Sequence, residues 1–193
     1  FIAPTKNVVL KIAKNSEQIS LAFTTKKYKR LQNITSDETG NILYINDADE
    51  GIVILNLLNQ GIYNLPNAET LNLTGITDLI YDDNGLIIFQ NEMKPERIMR
   101  LALNKSKFVI ENIFPIEVAN PQFNSLSKGA IIEGGLYYIA NSQAPKTNKY
   151  GGLVAGQEWE NMAVLSSDKH YNEQETLEYN KKIAEQKKKT GAK

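Results

Sequence analysis

A polar turn, an apolar strand and an asparagine follow one another three times along this chain. The first copy runs Asp37-Glu38-Thr39-Gly40-Asn41-Ile42-Leu43-Tyr44-Ile45-Asn46, and the second Asp82-Asp83-Asn84-Gly85-Leu86-Ile87-Ile88-Phe89-Gln90-Asn91. The third is Glu133-Gly134-Gly135-Leu136-Tyr137-Tyr138-Ile139-Ala140-Asn141, and the asparagines stand 45 and 50 residues apart. A unit of that length built from short strands cannot bury its apolar face alone, so it must stack on its neighbours.

Short strands recurring at this period predict an all-β chain of β-propeller blades, each a four-stranded antiparallel sheet. About three and a half blades are expected: an incomplete one over roughly 1–30, then 31–72, 73–120 and 121–168. In the first, Val8–Ala13 and Gln18–Phe23 read as two strands joined by the polar connection Lys14-Asn15-Ser16-Glu17. Only two strands precede the first repeated phrase, so the start of that blade is expected to be absent. Arg97-Ile98-Met99-Arg100-Leu101 alternates as a half-exposed outer strand would. Because closed rings use about four to eight blades, the expectation is the C-terminal half of a six-bladed ring. A complete small propeller and an unrelated β-sandwich are the alternatives. A partial ring leaves an apolar blade face bare and is expected to self-associate.

From residue 171 to 193 the composition changes to a charged tail. Acidic residues come first and lysines last, which suits a helix dipole and pairs such as Glu178 with Lys182. Its apolar face, Leu177, Ile183 and Ala184, is thin, so a solvated and frayed helix is expected rather than a docking one.

Lys and Arg total 22, as do Asp and Glu, so no global field draws the chain to nucleic acid or an anionic membrane. No stretch approaches the roughly 20 apolar residues of a membrane span. The sequence has no Cys, which removes disulfides and thiolate chemistry. That suits a periplasmic or extracellular protein, the expected location, and a cytoplasmic one as well.

Gly135-Leu136-Tyr137-Tyr138-Ile139-Ala140-Asn141-Ser142-Gln143 resembles the last-blade phrase of bacterial six-bladed propellers of the senescence-marker/gluconolactonase class, related to NHL-repeat propellers. Asp37–Asn46 resembles the SPDG-x-LYV-x-D strand of the same superfamily. The resemblance implies a divalent cation, calcium or zinc, in a central channel, and lactone or ester hydrolysis at it. Where the family keeps an Asp at the end of that strand, this chain has Asn46, Asn91 and Asn141. The family asparagine that opens the innermost strand matches Asn33 or Asn124, while the intervening copy has Thr74-Gly75. An amide can coordinate calcium but cannot act as general base.

Two chemistries and one scaffold role follow. The first is a binding or interaction propeller whose channel takes a small polar molecule or a protein partner through Asn33, Asn46, Asn91, Asn124 and Asn141. The second is a metal-dependent lactonase or esterase, with calcium as cofactor and acidic ligands in a missing N-terminal half. The third is a purely structural assembly platform. A structural reading of the repeated asparagines, as partners of backbone at strand ends, stands beside the ligand-binding one. No nucleophile triad forms around His170, the only histidine, which reads as a surface residue. Asp47-Ala48-Asp49-Glu50-Gly51 and Asp82-Asp83-Asn84-Gly85 read as turns rather than calcium loops. Tyr44, Tyr137 and Tyr138 are expected between blades, and Trp159 is left undecided between a buried and a rim position.

Overall fold

A computed structural model of the chain describes residues 2–3, 7–13, 15–66 and 71–190, the side chains of residues 2, 3, 179, 183 and 186–190 excepted. Lys14 of the first expected turn, the Ile183 side chain of the tail's apolar face and the side chains of Lys187, Lys188 and Lys189 lie outside what is described.

The chain is all-β apart from one helix, and it forms four antiparallel sheets. The first contains β1 (Ile2–Ala3), β2 (Val8–Ile12) and β3 (Ile19–Thr24), in that order. The second contains β4 (Leu31–Ser36), β5 (Ile42–Asp47), β6 (Gly51–Asn56) and β7 (Gly61–Asn64). The third contains β8 (Ile76–Asp82), β9 (Gly85–Gln90), β10 (Arg97–Leu103) and β11 (Ile110–Val118). The fourth contains β12 (Gly129–Ile132), β13 (Gly135–Ile139) and β14 (Val164–Asp168). Helix α1 (Glu173–Thr190) follows and lies beside β11. Within each sheet the strands follow chain order, so every sheet is an up-and-down meander of the blade kind.

The sheets stack in sequence, each pair around its own core. Val9 of the first sheet meets Ile45, Val53 and Leu55 of the second. Tyr44, Ile52 and Ile54 of the second meet Leu86, Ile88 and Leu101 of the third. Ile87, Phe89 and Ile98 of the third meet Leu136 and Tyr138 of the fourth. A sandwich would have one core between two sheets. Here four sheets enclose three cores, and the first strands β4, β8 and β12 adjoin one another along one edge of the stack. We call this the inner edge.

Stacking on both faces explains the apolar runs. β6 and β9 are buried along nearly their whole length because neighbours cover both sides. Strands buried on both faces read as continuous aliphatic runs rather than alternating ones. Ile52-Val53-Ile54-Leu55 and Leu86-Ile87-Ile88-Phe89 are such runs.

Glycine and asparagine close the hairpins. Asp83 and Asn84 both have positive φ (45° and 53°), so the primed turn centres on this pair and Gly85 opens the next strand. Glu133 and Gly134 (φ 50° and 84°) form the equivalent turn between β12 and β13. Gly51 (φ 82°) takes the left-handed conformation expected of it.

Several expectations are corrected. The first sheet contains β1, which pairs with β2 and lies beside β4, so its inner strand is present. Among the described residues it has no strand after β3 to match β7 of the second sheet. β10 is not an outer strand. β11 flanks it, and Ile98, Arg100 and Leu101 are buried. Tyr44 and Tyr138 do lie between sheets, whereas Tyr137 is 42% exposed. Trp159 is exposed.

Gly129 marks the tightest sheet-to-sheet approach, because any Cβ there would collide with the buried ring of Phe89. Gly129→Val is expected to lower stability by about 1–3 kcal/mol, the usual range for overpacking a core. Urea denaturation against the wild type measures it, and an unchanged midpoint would contradict this packing.

Candidate functional site

The inner edge gathers polar side chains from three sheets around one ammonium group. Lys128, just before β12, donates from Nζ to Asn33 Oδ1 on β4, to the Thr77 carbonyl (3.1 Å) and to Asp78 Oδ1 (2.9 Å) on β8. The second Asp78 oxygen accepts from the Gly129 backbone N–H at 3.0 Å. Asp78 is buried while the Lys128 side chain is 57% exposed, so the cluster opens to solvent at the lysine. Asn33 therefore belongs to an inter-sheet cluster whose charged members, Asp78 and Lys128, sequence reasoning missed. Neither lies in the repeated phrase, and they are 50 residues apart.

The asparagines of the repeat do other work. Asn46 is fully buried and donates to the Ile76 carbonyl at the head of β8 (2.8 Å) and to Gln32 Oε1 (2.9 Å). Asn91 donates to the Leu126 carbonyl just ahead of β12, also at 2.8 Å. Each thus fastens the end of one sheet's second strand to the start of the next sheet. Asn141 has no such neighbour among the described residues. It donates to the Asn161 carbonyl (3.0 Å) and accepts from the Ala163 N–H (2.5 Å), closing the long connection between β13 and β14. Asn124 is exposed, and its backbone N–H donates to the Ala140 carbonyl. The five asparagines are therefore spread over separate contacts rather than gathered on one point.

Two carboxylates serve as backbone caps. Asp47 accepts from the N–H groups of Arg30, Asp49 and Glu50, which makes its segment a capped turn. Glu96 accepts from Ser125 and Leu126 N–H at the head of the fourth sheet (3.2 and 2.7 Å). Burial pushes the Glu96 carboxyl up, but Lys94 and those two amides outweigh it and hold it below its usual range.

A second ion cluster joins the second and third sheets away from the inner edge. Lys107 Nζ lies 2.8 Å from Asp37 Oδ2 and 2.5 Å from Glu38 Oε1, and the Tyr81 hydroxyl donates to Glu38 at 2.6 Å. Tyr81 stacks on Tyr44, whose hydroxyl donates to the Lys107 carbonyl. Burial and the Glu38 contact raise Tyr81 to about 12. Burial works against the ionised forms of both Asp37 and Lys107. Their mutual contact prevails, lowering Asp37 and raising Lys107.

His170 contacts Glu173 at 2.5 Å on the surface, beside Lys169, which pairs with Asp82 at 2.7 Å. With the Arg100 guanidinium 4.0 Å from Glu173, these contacts pin the start of the tail to the third sheet. The tail, expected as a solvated and partly frayed helix, is helical and is docked at its first turn.

Calcium, implied by the family resemblance, needs several free oxygen donors. Both Asp78 oxygens and Asn33 Oδ1 are already engaged by Lys128 and Gly129. Among the described residues no three His, Asp or Glu side chains are grouped to hold a metal. The inner-edge donor set does not fit a divalent cation. Among those residues, too, no helix is long and apolar enough to cross a membrane.

No protein family matches the chain, and neither does any curated protein.

Lys107→Met tests the second cluster. It leaves the buried Asp37 carboxylate without its cation, at an expected cost of about 1–3 kcal/mol at pH 7. In the wild type Asp37 is depressed, so its contribution is full above the ordinary Asp pKa of about 3.9 and fades as pH falls through the folded value. In the variant the Ile42 amide and the Thr39 hydroxyl still oppose burial but the Lys107 contact is lost, so Asp37 is less depressed and the deficit should shrink as pH falls below about 4. A gap constant from about pH 5 to about pH 2 in pH-dependent denaturation would contradict the assignment.

Proposed function

We propose that this chain is a binding module that takes a small polar molecule or a polar segment of a protein at its inner edge. One observation carries the reading. Lys128 draws Asn33, Thr77 and Asp78 from two other strands to one partly exposed point. The Lys128 ammonium already uses its three N–H donors on these acceptors, yet it is open to solvent, so a ligand carboxylate can take the place of the Thr77 carbonyl or of Asn33 there. The amides of exposed Gln32 and half-buried Asn33 on β4 add hydrogen-bonding capacity beside it. A polyhydroxylated carboxylate matches these groups, since its carboxylate pairs with Lys128 and its hydroxyls with the amides.

Hydrolysis is not part of the proposal. It needs an activated nucleophile or a metal-bound water, and the inner-edge carboxylate is already tied to a lysine and a backbone amide. The likeness to lactonase propellers supports the scaffold rather than the chemistry.

Thermal unfolding with gluconate as probe tests the proposal. A ligand bound only by the folded state adds about 2.7 kcal/mol of stability at one hundred times its Kd. Gluconate is expected to raise the Tm of the wild type and to leave Lys128→Met unmoved. Stabilisation by calcium chloride, unaffected by Lys128→Met, would overturn the reading in favour of a metal site.

A further inference from the structure

The fourth sheet repeats on its outer side the face that the third sheet buries. The turns align Gly85 with Gly135, and from them the pairing runs in parallel. Ile80 opposite Ile87 corresponds to Ala130 opposite Tyr137, and Phe89 opposite Ile98 corresponds to Ile139 opposite Val164. In the third sheet Ile87, Phe89 and Ile98 are each 0% exposed, because the fourth sheet covers them. In the fourth sheet Tyr137 is 42%, Val164 57% and the flanking Ile132 53% exposed. Leu136 and Tyr138, on the side toward the third sheet, are buried. The groove on this outer face is lined by Ala130, Tyr137, Ile139, Val164 and the stem of Lys128. The face is thus shaped and coloured for one more sheet of the same kind.

The opposite end of the stack offers a counterpart. The first sheet exposes Ile19 (64%) on β3, along with Ile12 and Leu21 (57%), which also border grooves against the second sheet. Inside the molecule, each contact sets a sheet's forward face on the backward face of the next. We propose that the fourth sheet of one copy docks on the first sheet of a second copy, and that two such contacts close a dimer. Two copies would supply eight sheets, within the roughly four to eight blades around which such stacks close. A closed head-to-tail pair leaves no end sheet bare, whereas an unclosed one would grow into a filament. The burial that drives it is that of the internal contacts, aliphatic and aromatic surface withdrawn from water.

Sedimentation of the 193-residue chain and its variants tests this. The wild type is expected to be a discrete dimer. Tyr137→Lys and Ile19→Lys, each at an exposed position, should weaken dimerisation at least tenfold while circular dichroism stays that of the folded wild type and Tm falls to a concentration-independent value. Val164→Lys serves as a second variant on the same face. Mixing Tyr137→Lys with Ile19→Lys should restore a dimer, because the mixed pair keeps one contact with both faces intact. A monomeric wild type, aggregation indifferent to all three substitutions, loss of dimer with Tyr137→Lys but not Ile19→Lys, or no recovery on mixing would each overturn the proposal.

Discussion

Everything in this fold depends on covering short strands from both sides. A four-stranded sheet with aliphatic residues on each face is stable only between two others, and the inner sheets here meet that condition completely. Stacking brings a difficulty with it, since the strand ends carry backbone carbonyls that burial removes from water. Asn46 and Asn91 answer it. Each amide reaches forward to a carbonyl at the head of the next sheet, at the same 2.8 Å. A residue recurring once per unit at such a junction serves the repeat itself.

Charged bridges reinforce the same junctions at different radii. Lys128 and Asp78 join the third and fourth sheets at the inner edge, with Asn33 drawing in the second. Glu96 reaches the amides of Ser125 and Leu126. Lys107 ties the second and third sheets through Asp37 and Glu38. Because these pairs are partly buried, their worth lies as much in fixing the angle and register of neighbouring sheets as in net stability. That division leaves Lys128 the most solvent-open of the buried-partner bridges that span sheets, which is why the binding proposal rests there.

The sequence made the stacked strands legible, since a turn with Gly followed by four apolar residues has a direct structural cause. β10 was legible from the alternation of Arg97 to Leu101, which stops short of the strand's end at Leu103. Its position was not, because β11 contains Pro115, which reads as a break in a strand and is tolerated here on the outermost one. The innermost β4, Leu-Gln-Asn-Ile-Thr-Ser, is polar at the edge of the stack and carries no apolar run to betray it. β1 has two residues, too few for any pattern. Burial of Arg100 depends on Asp82, Asp83 and Glu173, which two separate segments bring to it. The asparagines were found by their repetition, but their partners, Ile76 and Leu126, are backbone carbonyls that no side-chain pattern announces.

The direct test of the stacked-sheet account is the exchange of the asparagine side-chain amides with solvent, read by NMR. Asn46 Nδ2 donates inside the protein to Gln32 and Ile76, and Asn91 Nδ2 to Leu126. Their protons should exchange far more slowly than those of exposed Asn124, and they should show cross-peaks to Ile76 and Leu126 respectively. Exchange as fast as that of Asn124, with neither cross-peak present, would contradict the claim that these amides clasp one sheet to the next.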